Sequence, residues 1–310
     1  MSLYQKYRPS TFEEMIGNEL AVKSLEKAIE KKDHSHVYLF TGPAGTGKTT
    51  AARIMANKLG AGELDIREVN TASNRGIDTA RDIISQMRQL PMSGDCVVYI
   101  LDEVHKFTPD MQNALLKPLE DTPDHVYFFL CTTDPQKLIK ALVTRCTKVQ
   151  FTSLDAIQLL KLLKKVNKLE EGDISRDILE DIADKSEGCP RTALVILERV
   201  LSLETEEERK QYLKDGYFGE ADPEVIELCR ALLDEKNKWK SIATILKNLN
   251  TSEKLVDSEK VRYAVLGYMN AVLLNGSLSP RAVVAIEAFS EPTYNNGKFG
   301  ITLACLTTVL

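Results

Sequence analysis

Gly42-Pro43-Ala44-Gly45-Thr46-Gly47-Lys48-Thr49 has the spacing GxxxxGK[ST] of a phosphate-binding loop, directly after the apolar run Val37–Phe40 and before a helical stretch opening near Gly47. The context matters as much as the match. Glycines let successive backbone N–H groups turn toward one point, and the N-terminus of the following helix adds partial positive charge there. In such a loop Lys48 reaches the β- and γ-phosphates of a nucleotide, Thr49 holds Mg²⁺, and Thr50 beside it is read as part of the nucleotide-binding set.

Working outward, short apolar runs alternate with helical stretches, the pattern of a parallel sheet covered by helices. The predicted strands are Val37–Phe40, Ile66–Asn70, Val97–Leu101, Val126–Cys131 and Lys148–Phe151, with helices beginning near Gly47, Ile77 and Pro109. The strands read as continuous Val/Ile/Tyr/Phe runs, as expected for strands buried on both faces. The run Val97–Leu101 ends in two acids, Asp102 and Glu103. Neighbouring strand residues point in opposite directions, so Asp102 is read as the ligand of a hydrated Mg²⁺ and Glu103 as the group that orients an attacking water.

After Phe151 the spacing changes. Leu154–Leu169, Ser175–Lys185 and Pro190–Leu203 carry apolar residues three and four apart, and predict a small helical domain. The acidic stretch Glu204–Lys210 leads into helical stripes at Val225–Leu233, Trp239–Leu249, Val261–Leu274 and Arg281–Phe289. Three domains follow: residues 1–152 as a nucleotide-binding α/β domain, 153–205 as a helical lid, and 206–310 as an all-helical collar that oligomerises.

The 310 residues carry 45 Asp+Glu against 40 Lys+Arg, a net charge of −5, so bulk attraction to polyanions is excluded and any nucleic-acid contact must be local. With 43% apolar and 27% charged residues, global disorder is excluded too. No apolar run approaches the roughly 20 residues that span a bilayer, and no signal-peptide pattern opens the chain. The expectation is a soluble protein of the cytoplasm, or of the replication compartment of an infected cell if its source is viral. The six cysteines show no CxxC pair and are read as reduced thiols.

Lys6-Tyr7-Arg8-Pro9-Ser10-Thr11-Phe12, Gly17-Asn18-Glu19, the phosphate loop, Asp102-Glu103-Val104-His105, Thr132-Thr133-Asp134-Pro135 and Thr144-Arg145-Cys146 occur in an order that resembles the clamp-loader ATPases of the AAA+ superfamily. The resemblance is to the gamma/tau subunit of bacterial DNA polymerase III, with replication factor C small subunits and phage loaders as relatives. It covers about the first 200 residues. Bacterial gamma/tau subunits carry a four-cysteine zinc module after the phosphate loop; Ala51–Asn70 contains no cysteine, so zinc is not expected here.

The resemblance assigns further roles. Tyr7, Arg8 and Pro9 would lie against the base and sugar of ATP, Thr133 would sense the γ-phosphate, and Arg191 would touch the phosphates from the lid. Arg145 would be an arginine finger reaching a neighbouring subunit's site, with Thr144 where the family has Ser. Asn74, Arg75, Arg81 and Lys117 would contact DNA phosphates. The chain is therefore read as an ATPase subunit that places a sliding clamp on primer–template DNA, with ATP and Mg²⁺, in a pentameric assembly with other loader subunits. The alternatives are a branch-migration or helicase-type AAA+ motor, and a nucleotide-regulated scaffold.

Overall fold

The computed structural model describes residues 2–30, 35–70, 76–214, 223–234, 239–251, 258–274, 279–291 and 297–309. The chain divides into two compact units, Met1–Glu198 and Arg199–Leu310. In the first, five strands form one parallel sheet: β1 (Val37–Thr41), β2 (Ile66–Asn70), β3 (Val97–Asp102), β4 (Val126–Thr132) and β5 (Thr147–Gln150), in the order β2-β3-β4-β1-β5. All five predicted strands are present. β1, β3 and β4 each run one residue further than the sequence suggests, so Thr41, Asp102 and Thr132 belong to strands, and β5 is shifted back by one.

The helices of this unit are α1 (Leu3–Lys6), α2 (Glu19–Glu30), α3 (Lys48–Lys58), α4 (Ile77–Gln86), α5 (Pro109–Glu120), α6 (Lys140–Val143), α7 (Ala156–Leu169), α8 (Arg176–Lys185) and α9 (Pro190–Leu201), the last crossing the division between the units. Alternating strand residues feed two cores. Tyr38, Phe40, Val98, Ile100 and Phe129 pack with α2 and α3, while Leu39, Tyr99, Leu101, Phe128 and Leu130 pack with α4 and α5. Burial on both faces is why these runs lack the polar alternation of a half-exposed strand. α7 starts at a capping box in which Asp155 accepts from the Gln158 N–H and the Gln158 side chain accepts from the Asp155 N–H.

The second unit is helical throughout its described residues: α10 (Glu206–Lys214), α11 (Pro223–Leu233), α12 (Trp239–Thr251), α13 (Ser258–Leu274), α14 (Pro280–Ala288) and α15 (Gly297–Val309). Leu228, Leu232, Ile242, Val265, Met269 and Phe289 anchor its core. A buried Arg262 pairs with Glu259 at 2.9 Å and donates to the Phe289 carbonyl at 3.1 Å, so its guanidinium is compensated inside that unit. No described helix is long and apolar enough to cross a membrane.

Candidate functional site

In open parallel sheets ligands collect beyond the carboxyl ends of the strands. Here the ends of β1, β3 and β4 open into a cavity of about 650 Å³, within the first unit. Lys48, Thr49, Asp102, Glu103, Thr132 and Thr133 form its polar floor, and Ile16, Leu154, Leu162 and Val166 contribute an apolar wall. That combination suits a ligand with a charged end and a flat apolar one.

The loop between β1 and α3 is built to come close to its neighbours. A Cβ on Gly42 would lie 2.2 Å from the Phe151 carbonyl oxygen, and one on Gly45 only 2.4 Å from the Cys189 Sγ; both glycines have positive φ. Lys48 starts α3 and is 7% exposed, its Nζ donating to the carbonyls of Gly42 (2.9 Å) and Pro43 (2.7 Å). Burial pulls its ammonium below the usual lysine value, despite the proximity of Asp102 and Glu103. Among the described residues it has no carboxylate within ion-pair distance. Its buried charge is met only by neutral carbonyls, an arrangement suited to holding an anion. The Thr49 hydroxyl donates to Asp102 Oδ2 at 2.9 Å, and Asp102 Oδ1 accepts from the Glu103 N–H at 2.9 Å. A hydroxyl beside a carboxylate is the hard oxygen set that Mg²⁺ takes together with water and phosphate.

Glu103 corrects the strand-alternation argument. β3 ends at Asp102, and Glu103 has left the strand with φ 51° and ψ 42°, opening a 3₁₀ turn over Val104–Lys106. The two acids are therefore not successive strand residues, and the Glu103 carboxylate is paired with Lys106. At the end of β4, Thr132 is buried, its Oγ1 accepting from the Asp134 N–H (3.1 Å) and lying 3.1 Å from His105 Nδ1, whereas Thr133 is exposed on the cavity floor.

The N-terminal segment reaches the same cavity. Arg8 Nε donates to Thr50 Oγ1 at 3.1 Å, and burial, reinforced by Arg53, depresses its guanidinium below the usual range. Tyr7 does not stand alone as a wall: its hydroxyl and Lys6 Nζ both donate to Glu170 at the end of α7, and these bonds hold that carboxyl below the usual range. Pro9 lines the cavity. From α9, Arg191 lines it too, lying 5.8 Å over the Tyr4 ring, while Cys189 Sγ approaches the Ala44 carbonyl at 3.5 Å.

The remaining predicted residues lie elsewhere. Arg145 is not among the residues lining its own chain's cavity; its Nη2 meets Glu120 Oε2 at 2.6 Å and its Nη1 the Ala141 carbonyl at 2.8 Å. Arg81 pairs with Asp78 on α4 at 3.0 Å, and Lys117 is exposed on α5. Asn74 and Arg75 lie outside the described residues. Sequence reasoning gives no role to Glu170 or Cys189 and quotes His105 only within the Asp102–His105 motif; their partners are 163, 145 and 27 residues away along the chain.

Residues 63–155 match the family described as DNA polymerase III, delta subunit. The chain is 35% identical over 222 residues to DNA polymerase III subunit tau of Bacillus subtilis, and 32% over 223 residues to that of Escherichia coli. These alignments take in 65% and 64% of this chain but only 39% and 34% of those relatives. In fold it resembles a gamma subunit-related DNA polymerase III protein of Thermotoga maritima, with TM-score 0.56 and 18% identity over 92% of this chain and 98% of that one. It also resembles the Thermotoga maritima RuvB Holliday junction branch migration motor, with TM-score 0.54 and 21% identity over 88% of this chain and 93% of that one.

Proposed function

We propose that this chain is a AAA+ protein related to the clamp-loader subunits of DNA polymerase III, and that it binds and hydrolyses ATP to place a sliding clamp on primer–template DNA. The observation that carries this reading is the buried Lys48 ammonium, without a carboxylate partner among the described residues, beside the Thr49–Asp102 pair.

The loop N–H groups and Lys48 would hold the β- and γ-phosphates, with the base against the apolar wall and the Tyr7–Pro9 segment. Thr49 and Asp102 would hold Mg²⁺, which when bound neutralises charge on the phosphate oxygens. Glu103 would orient a water in line with the γ-phosphate and accept its proton, and Thr133 would hydrogen-bond the same region. Arg191 would approach from a helical lid running from residue 153, so the filling of the cavity would be felt by that lid. Arg145 points at no group of its own cavity, which suits a finger offered to a neighbouring protomer, where a guanidinium against the γ-phosphate contributes about 10³–10⁵ in turnover.

The helical second unit would then act as a collar in a pentameric assembly with other loader subunits. Arg81 and Lys117, with Asn74 and Arg75, would contact DNA phosphates without reading sequence, in the cytoplasm or an equivalent replication compartment. Likeness to the branch-migration motor supports a shared fold and no more.

The test is ATP turnover with primed DNA and clamp. Lys48→Ala should abolish nucleotide use, while Arg145→Ala should leave ATP affinity within about twofold and remove the DNA-stimulated rate. Normal stimulated turnover in assemblies built only from Arg145→Ala chains would refute the trans finger.

A further inference from the structure

His105 sits two residues beyond the proposed water-orienting Glu103, on the 3₁₀ turn Val104–Lys106. Its Nδ1 lies 3.1 Å from Thr132 Oγ1, at the end of the neighbouring strand. β3 and β4 are paired in parallel through Leu101↔Leu130, so this side-chain contact extends the pairing past the point where the β3 ladder stops. Thr132 is 1% exposed, and the same oxygen accepts from the Asp134 N–H at 3.1 Å. Its bonds therefore bracket Thr133, the exposed residue beside it on the cavity floor. The other end of the turn is anchored as well, since the Val104 side chain is fully buried among the residues that pack α4 and α5 on the sheet.

Glu103 needs such a tie. Its backbone is in the left-handed region, where a residue with a side chain is held only by its surroundings, and its carboxylate is paired with the exposed Lys106, a contact too weak to define a position. Among the described residues, the His105–Thr132 contact is the side-chain hydrogen bond that joins the turn bearing Glu103 to the strand end bearing Thr133.

We propose that His105 is a positioning residue: through Thr132 it locks the Glu103 turn to the Thr133 end of β4, so that the two groups addressing the attacking water move as one. This rests on the ATPase reading above. His105 itself touches no phosphate in this arrangement and takes no proton. Misplacing a water-orienting group by an ångström costs roughly 100-fold in rate without costing affinity, and that split separates positioning from packing.

The experiment is steady-state ATP hydrolysis with a separate nucleotide-binding titration and a thermal melt, on the full chain in its assembly. His105→Ala should lower kcat by about 10- to 100-fold with nucleotide affinity within twofold and the melting temperature unchanged. Thr132→Val should lower kcat at least as far, with some loss of stability because it also strips the acceptor from the Asp134 N–H, and the double variant should be no worse than Thr132→Val alone, because the His105 contact is already gone from it. His105→Asn, which keeps a nitrogen or oxygen near the Nδ1 position, should recover much of the rate.

Wild-type kcat in His105→Ala, additive losses in the double variant, or a matching loss of nucleotide affinity and melting temperature would each overturn the proposal. Turnover that survives Lys48→Ala would instead refute the underlying ATPase reading, so the two failures are distinguishable.

Discussion

Asp65 gives the sharpest energetic prediction. It is fully buried, yet among the described residues no cation pairs with it; its carboxylate instead accepts from the N–H groups of Met92 (2.6 Å), Ser93 (2.7 Å) and Gly94 (2.8 Å) and from the Ser93 hydroxyl (3.0 Å). The loop before β3 is thus folded around one carboxylate. Hydrogen bonds to a charged group are worth about 1.5–3 kcal/mol each, non-additively, and each backbone N–H left without a partner costs about 1–3 kcal/mol. Asp65→Ala strands three such donors, so the expected loss is about 3–5 kcal/mol, the range seen on breaking a buried charged network. Asp65→Asn keeps one acceptor oxygen but sets an NH₂ against the Met92 or Ser93 N–H, for an expected loss of about 1–3 kcal/mol. Burial alone would push the Asp65 carboxyl up, but the Met92, Ser93 and Gly94 bonds outweigh it and hold it below the usual value. Its contribution is then complete above the unfolded carboxyl value near pH 4 and fades as pH falls through the lower folded value. Amide hydrogen exchange at Met92, Ser93 and Gly94 together with calorimetry reads the effect, while the lone tryptophan, Trp239, follows the second unit by fluorescence. A loss below about 1 kcal/mol in Asp65→Ala, with those amides still protected, would refute the reasoning.

Two further outcomes follow from the contact between the phosphate loop and the start of α9. Gly45→Ala places a Cβ 2.4 Å from Cys189 Sγ at a φ of +71°, so nucleotide affinity should fall by at least tenfold; adding Cys189→Ala should restore part of it, the clash being relieved but not the backbone strain, as a binding titration will show. Thiol labelling should reach half-exposed Cys189 first, because burial raises Cys96 to about 11 and Cys146 and Cys305 to about 12, and nucleotide in the cavity should slow labelling of Cys189; faster labelling of Cys146, followed by peptide mass, would contradict this.

The legible part of this protein is the part written locally. A phosphate loop spans eight consecutive residues between a strand and a helix, and each needs only its neighbours to be recognised, so the loop, the five strands and Asp102 could be placed from spacing alone. The elements that escaped are of two kinds. The sequence reading places no helix at α2 or α15, although α2 buries Ala21, Val22 and Leu25 on one face. The contacts that shape the site, Tyr7 to Glu170, Cys189 to Ala44 and His105 to Thr132, join residues 27 to 163 positions apart, and no pattern within one segment encodes them. Glu103 shows a third case. Strand alternation does not apply to it, since β3 ends at Asp102 and Glu103 sits in a left-handed turn that the sequence of a non-glycine residue does not announce.

The finger role proposed for Arg145 is one that no single chain can display. Its ion pair with Glu120 reads, taken by itself, as an ordinary surface contact: the two side chains are 31% and 62% exposed. Exposed pairs contribute about 0–1 kcal/mol, so Glu120 is a weak hold. A γ-phosphate presented by a neighbour in a water-excluded interface offers a guanidinium far more than that, because the same charges attract more strongly where the local dielectric falls. The pair with Glu120 is thus compatible with a parked finger, released at small cost when a neighbour docks. Glu120→Ala should accordingly leave stimulated turnover within about twofold while Arg145→Ala removes it; equal losses in the two variants would mean that Arg145 acts by bracing its own α5, and the trans role would fall.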